Sequence, residues 1–385
     1  MKYPALLAGS ALSASAAFVH PGMLHSAADF ERITTNVNAA KEPWLTGWYK
    51  LTNNSHSKST YAAAPVELLC RGATTSCTQN YSRAFNDAAA AYQLAIRWKV
   101  TGDEAYGTAA VKVLNAWSST LKEISGSSDK YLASGLYGYQ FANAAEILRD
   151  FDGFTDDDLA ATSAMLTDIF YPMNHRFLVE HNDAAVDHYW ANWDLCNMAS
   201  MLSVGIFSDN QTMFDEAINY FYNGTGNGAI EKLFWKVYDD GTAQVQESGR
   251  DQGHTMLDIG LVGIFAQMAY NQGNNLFKYD DYRILKGAEY AAKYNLGNDV
   301  QYTTYVNSDV TQDVISESGR GDIRPIWELL YNHYVKIEKQ TATYSTQYAE
   351  LVRNNGNGSE GGGGNYSPNS GGYDQLGFGT LLYTI

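Results

Sequence analysis

The chain is poor in positive charge, proline and cysteine. Lys and Arg number 26 against 42 Asp and Glu, for a formal net charge of −16. Nucleic-acid binding needs a basic footprint, and this composition argues against it. Only 7 prolines interrupt 385 residues, so little punctuates the helical patterns described below. Past the first residues, no apolar run reaches the length of a membrane span, so a soluble chain without a membrane partner is expected. The 8 histidines show no HxxxH or Cys/His ligand spacing, and neither a metal nor another cofactor is expected.

What is abundant is tyrosine. The 28 Tyr outnumber Lys and Arg combined. Aromatic faces stack on the apolar faces of sugar rings, so the excess suits a carbohydrate cleft; the alternative is a Tyr-rich core and surface.

The N-terminus reads as a secretory signal over residues 1–16. Lys2 supplies charge, Leu6–Leu12 a short, largely apolar run, and Ser13-Ala14-Ser15-Ala16-Ala17 small residues for a peptidase. Removal of Lys2 takes the formal charge from −16 to −17. A secreted, extracellular protein follows. Cys70 and Cys77 lie close enough to bridge in an oxidising compartment, and Cys196 falls in an apolar helical pattern as a buried thiol. Sequons at Asn53, Asn80, Asn210, Asn223, Asn357 and Asn365 suggest a glycoprotein.

Helical periodicity dominates the rest. It covers 82–100, 103–121, 136–149, 155–170, 190–204, 211–222, 253–271, 282–295 and 324–334. Short turns between many of these make consecutive helices antiparallel neighbours. Strand patterns are few: 234–237, 300–305 and 379–383. The expected fold is all-α, one (α/α) toroid of antiparallel helix pairs over 17–385 with few short strands. Residues 354–374, rich in Gly, Asn and Ser, are expected to form a flexible surface loop.

Four clusters carry candidate chemistry. In Glu247-Ser248-Gly249-Arg250-Asp251-Gln252-Gly253-His254, an Arg and a His stand four apart at a helix start, with Gln252 between them. That set can grip a carboxylate and move a proton. In Asp187-His188-Tyr189-Trp190-Ala191-Asn192-Trp193, a continuous helix would put His188 and Asn192 on one face beside Tyr189, with Trp190 and Trp193 on another. A buried Asn in an aromatic cluster is costly without a task. In 134–143, glycines beside Tyr137, Tyr139, Gln140 and Asn143 would let a ligand approach; a tight turn with core tyrosines is the other reading. In 317–325, Arg320 and Arg324 could clamp an anionic polymer or pair with local acids.

Together the opening Phe18-Val19-His20-Pro21-Gly22-Met23-Leu24-His25, the His188–Trp193 block and the Glu247–His254 block resemble the alginate lyase family. The resemblance spans roughly 18–335. It implies a secreted polysaccharide lyase with an (α/α) toroid fold, cleaving a uronic-acid polymer by metal-independent β-elimination. His188 matches the family's active-site His and Arg250 its Arg. The family's catalytic Tyr, seven residues past that Arg, is Leu257 here, and Asp187-His188 abuts Tyr189 without the usual spacer. Asn192 is similar to the Asn of the chondroitin AC-type lyases, which share the toroid.

The expected partner is an anionic polysaccharide of alginate, mannuronan or glucuronan type, bound by a monomer. Asn192, Gln252 and Arg250 would neutralise the carboxylate, and His254 would serve as the base or its partner. A Tyr, Tyr139 ahead of Tyr189, would be the acid. Tyr137, Gln140, Tyr189, Trp190, Gln252, Arg320 and Arg324 are the expected substrate contacts. An (α/α) glycoside hydrolase using Glu247 and Asp251, or a non-catalytic glycan-binding protein, are the competing readings.

Overall fold

Several helices begin where the sequence supplies a cap. Asp103 accepts from the Ala105 N–H, Thr155 and Asp158 form a reciprocal capping box, and Asp251 accepts from the His254 N–H. Gly102 ends the first long helix in the left-handed conformation, φ 68°. The structure is a computed structural model that describes residues 17–385. The signal segment expected at 1–16 lies outside the described residues.

The helices are α1 (Ala27–Asn38), α2 (Trp44–Thr52), α3 (Ser82–Thr101), α4 (Glu104–Thr120), α5 (Lys130–Ile147), α6 (Asp156–Met165), α7 (Tyr171–Glu180), α8 (Ala191–Phe207), α9 (Gln211–Asn223), α10 (Ile230–Leu233), α11 (Gln252–Asn271), α12 (Tyr279–Asn295), α13 (Trp327–Tyr331), α14 (Thr343–Asn355) and α15 (Gly379–Leu382). A π turn at Leu166–Phe170 joins α6 to α7. The strands are β1 (Leu68–Arg71), β2 (Glu123–Gly126), β3 (Lys236–Val237), β4 (Ala243–Gln244), β5 (Tyr305–Val306) and β6 (Thr311–Gln312).

Inner and outer helices alternate. α3, α5, α8, α11 and α13 pack on one another in that order, and α4, α6–α7, α9, α12 and α14 cover them. The inner α8 is buried at every residue and α5 and α11 at nearly every one, as helices apolar on all sides must be. α1 reaches α3, and α15 touches α1, α2 and α13, which closes the ring. This is the (α/α) toroid.

Each inner helix returns through an outer partner, so the five inner helices run in one direction. Their N-termini therefore share one end. The strands gather there too: β1 and β2 precede α3 and α5 and pair in parallel, β3–β4 precede α11, and β5–β6 precede α13.

Three expectations are corrected. Residues 379–383 contain helix α15, not a strand, because that segment packs against α2 and α13. Residues 354–374 are not a surface loop throughout: Ser359–Gly363 and Gly372–Asp374 are buried. Glu360 accepts there from the backbone N–H of Trp327, Glu328 and Gly379, tying the chain end to α13. Helix α5 begins at Lys130, six residues earlier than its apolar pattern suggests.

Candidate active site

The irregular end of the ring holds the first two clusters. α8 has no side-chain cap of its own, since Trp190 at its N-cap cannot supply one. Its first N–H groups are instead met from the chain before α11. Ala191 N donates to Gln246 Oε1 at 3.1 Å, and Asn192 N to Glu247 Oε1 at 2.9 Å. A carboxylate at a helix N-terminus is electrostatically favoured, so Glu247 can sit fully buried.

Glu247 also fixes two candidate side chains, one of which, Asn192, is itself 2% exposed. Asn192 Nδ2 donates to Glu247 Oε1 at 2.6 Å, and Arg250 Nη1 to Glu247 Oε2 at 2.7 Å. The Arg250 guanidinium lies over the Trp190 ring, 5.0 Å from its centroid, and the side chain keeps 25% of its surface in solvent. Thus Asn192, Trp190 and Arg250 form one constellation around one buried carboxylate.

His254 stands beside it. Its Nδ1 meets Asp251 Oδ2 at 2.7 Å, and its side chain is 36% exposed. Burial raises the Asp251 carboxyl, but the His254 side-chain and backbone hydrogen bonds, with the nearby His254 and Arg250 charges, outweigh it and hold it below its ordinary range. An ionised Asp251 accepts only, so Nδ1 carries a proton, and it is the neutral form of the imidazole that offers a lone pair at Nε2. Arg250 precedes α11 rather than lying on it, and Asp251 links the two residues: its Oδ2 is 3.7 Å from Arg250 Nε.

His188 occupies a different place from that expected. It lies in the turn before α8, so it does not share a helix face with Asn192. Its Nδ1 meets Asp309 Oδ2 at 2.5 Å, and its ring packs edge-on against Tyr189. Tyr189 is mostly covered by Phe177 and Trp193, and its hydroxyl accepts from Asn182 Nδ2 at 2.8 Å.

The remaining candidates are spent elsewhere. Tyr139 is completely buried, and its hydroxyl donates to the Asp374 carbonyl. Burial pushes its hydroxyl far above the usual phenol range. Gln140 is buried too and donates to the Tyr373 carbonyl at 2.7 Å. Tyr137 is 1% exposed and accepts from Arg71 Nη1 at 3.0 Å. The glycines beside them serve packing: a Cβ at Gly135 would lie 2.4 Å from Cys196 Sγ, and one at Gly138 2.1 Å from Ser200 Oγ. They let α8 approach α5, not a ligand.

Gln252 is fully buried, with its amide donating to the Ser248 and Ser316 carbonyls and accepting from Asn295. It braces the loop and has no group left for a substrate carboxylate. Arg320 donates to the Tyr294 and Asn298 carbonyls, and Arg324 to Asp374 and the Gly371 carbonyl. They hold different partners and make no joint clamp. Glu247, with both oxygens engaged and no exposure, is not a hydrolase carboxyl.

Glu247's organising role was missed in sequence, as was Asp309. The only local sign was Glu247 three residues before Arg250; its tie to Asn192 spans 55 positions. Cys70 and Cys77 form a disulfide with Cα atoms 6.0 Å apart, and Cys196 is a buried free thiol that burial pushes up in pKa.

The sequence profile of the family described as alginate lyase matches residues 62–301, more than half of the chain. The chain belongs to the alginate lyase family. With that membership it is a polysaccharide lyase. Solved structures share the fold across nearly the whole length. An alginate lyase from Bacteroides ovatus has 11% identity and TM-score 0.63, covering 95% of this chain and 100% of that one. Alginate lyase A1-III from Sphingomonas species A1 has 12% identity and TM-score 0.55, covering 98% and 100%. A Tyr-to-Phe variant of alginate lyase A1-III complexed with a tetrasaccharide has 13% identity and TM-score 0.61, covering 96% and 97%. No curated protein matches the chain in sequence.

Proposed function

We propose that this lyase cleaves a uronic-acid polymer of alginate, mannuronan or glucuronan type, and that Asn192, Arg250 and His254 perform the reaction. The observation that carries the reading is the single buried carboxylate of Glu247 holding Asn192 and Arg250, with the Asp251–His254 pair alongside. Removing the proton alpha to a carboxylate builds charge on that carboxylate, and preorganised donors lower the barrier. Arg250 has N–H groups left beyond the one given to Glu247. His254 Nε2 takes the C5 proton; as electrons move to form the C4–C5 double bond, the C4–O4 bond breaks and O4 is protonated. Tyr137 and Tyr139 are sealed in the core, and we assign the acid to Tyr189, whose ring is also largely covered and whose hydroxyl would have to leave Asn182 to reach O4.

The net charge of −16 does not oppose a polyanion, because attraction depends on the local field. At this end of the ring Arg250 supplies a positive charge that is only partly shared with Glu247 and Asp251, and its remaining N–H groups face outward from that pair. Structures of alginate lyase A1-III with a tetrasaccharide support an oligosaccharide ligand for the fold.

We also propose that the protein is secreted and glycosylated. The reading rests on the leader-like 1–16, the Cys70–Cys77 bridge and the exposure of the Asn53, Asn223 and Asn357 sequons. The Asn80 side chain, by contrast, accepts from Cys70 N and donates to the Leu68 carbonyl in the fold.

Incubation with a panel of uronans tests the function. The expected result is an unsaturated, UV-absorbing end on at least one polymer. Reducing ends without that absorbance, or polymer bound but unchanged, would reject it.

A further inference from the structure

Asp258 is a carboxyl group that the reaction does not use. It lies one helical turn beyond His254 in α11 and is completely buried. No N–H or hydroxyl donor reaches either of its oxygens. Its neighbour within hydrogen-bonding reach is Glu247, which is also completely buried. The charged groups facing it are Glu247, Arg250 and Asp251.

Two carboxyls in contact in a dry interior do not both ionise. The proton goes to the one with fewer donors. Glu247 receives the backbone and side-chain N–H of Asn192 and the guanidinium of Arg250, and it caps α8. Asp258 receives nothing. We propose that Asp258 is a positioning residue, a neutral acid whose O–H donates to Glu247 and locks the carboxylate that holds Asn192 and Arg250. Burial, then the Glu247 charge, pushes the Asp258 carboxyl well above its ordinary range. An ionised Asp258 would set two negative charges against each other and loosen Glu247 from its donors.

The inference rests on the site reading above, and two substitutions separate it from simple core filling. Asp258→Asn keeps shape and a neutral donor, whereas Asp258→Leu keeps bulk and removes the donor. Asp258→Asn is expected to retain turnover close to the wild type. Asp258→Leu should lose about 10- to 100-fold in kcat, the worth of one hydrogen bond to a charged group. An Asn variant as impaired as the Leu variant, or a fully active Leu variant, would overturn the proposal. Should the Leu variant not fold, infrared difference spectra of wild type against Asp258→Asn at neutral pH decide. A protonated carboxyl C=O band lost in the variant supports it, and absence of that band overturns it. This readout needs no substrate, so it stands or falls independently of the assigned reaction.

Discussion

Two polar, aromatic segments of this chain look alike in sequence and differ completely in the fold. Tyr137-Gly138-Tyr139-Gln140 and Trp190-Ala191-Asn192-Trp193 both set an amide among aromatic rings on an inner helix. The first lies in the middle of α5, where neighbouring helices seal it and the chain end consumes its hydroxyl and amide. The second lies at the start of α8, where the first N–H groups still need partners. Meeting that need brings Glu247 across from the α11 loop, and Arg250 and His254 come with it. In a toroid of this kind, distance from the inner-helix N-terminus separates chemistry from packing.

The largest effect that could break this contrast is at His254. His254→Ala should reduce turnover by about 10²–10⁴, the usual worth of a positioned base. A folded variant with near-native turnover would remove His254 from the reaction. Arg250→Ala and Asn192→Ala should each cost about 10²–10³ in kcat, as loss of one transition-state donor does. The measurement is the rate of unsaturated product formation, with circular dichroism confirming the fold.

Much of the fold was readable because it depends on local rules. Asp103, Thr155 and Asp251 are caps, and the apolar periods of α3, α4, α9 and α11 are unbroken. Residues 379–383 were misread because a short apolar run does not distinguish a strand from a single helical turn; contact with α2 and α13 decides it. In the site, Arg250 and His254 were visible as neighbours in sequence. The links that give them a setting were not: Asn192 to Glu247 spans 55 residues and His188 to Asp309 spans 121. Tyr139 was misjudged because a glycine beside an aromatic reads the same whether a sugar or a helix approaches it.

The α5 side of the comparison can be probed through stability. The Cys70–Cys77 loop pins β1, whose Arg71 holds the Tyr137 hydroxyl. Replacing both cysteines by serine should lower unfolding free energy by about 2–3 kcal/mol, as expected for a short loop, with kcat unchanged. Urea titration measures the first and product formation the second. Peptide mapping without reduction that finds both as free thiols would contradict the bridge.

Tyr139→Phe should give the smallest effect. It removes one buried hydrogen bond, for about 1 kcal/mol of stability, and leaves kcat as in the wild type. A large fall in kcat with stability intact would return the α5 cluster to the site. Tyr189→Phe is the matched variant: it should lower kcat clearly, and unchanged turnover would exclude Tyr189 as the acid.

The central claim is that the substrate carboxylate is held at the start of α8 and α11. A crystal structure of His254→Ala with a uronate tetrasaccharide tests it directly. The expected result is a sugar carboxylate hydrogen-bonded to Arg250 and Asn192, with its C5 facing the space left by the imidazole. A tetrasaccharide bound elsewhere on the ring, with Arg250 and Asn192 untouched, would contradict the assignment.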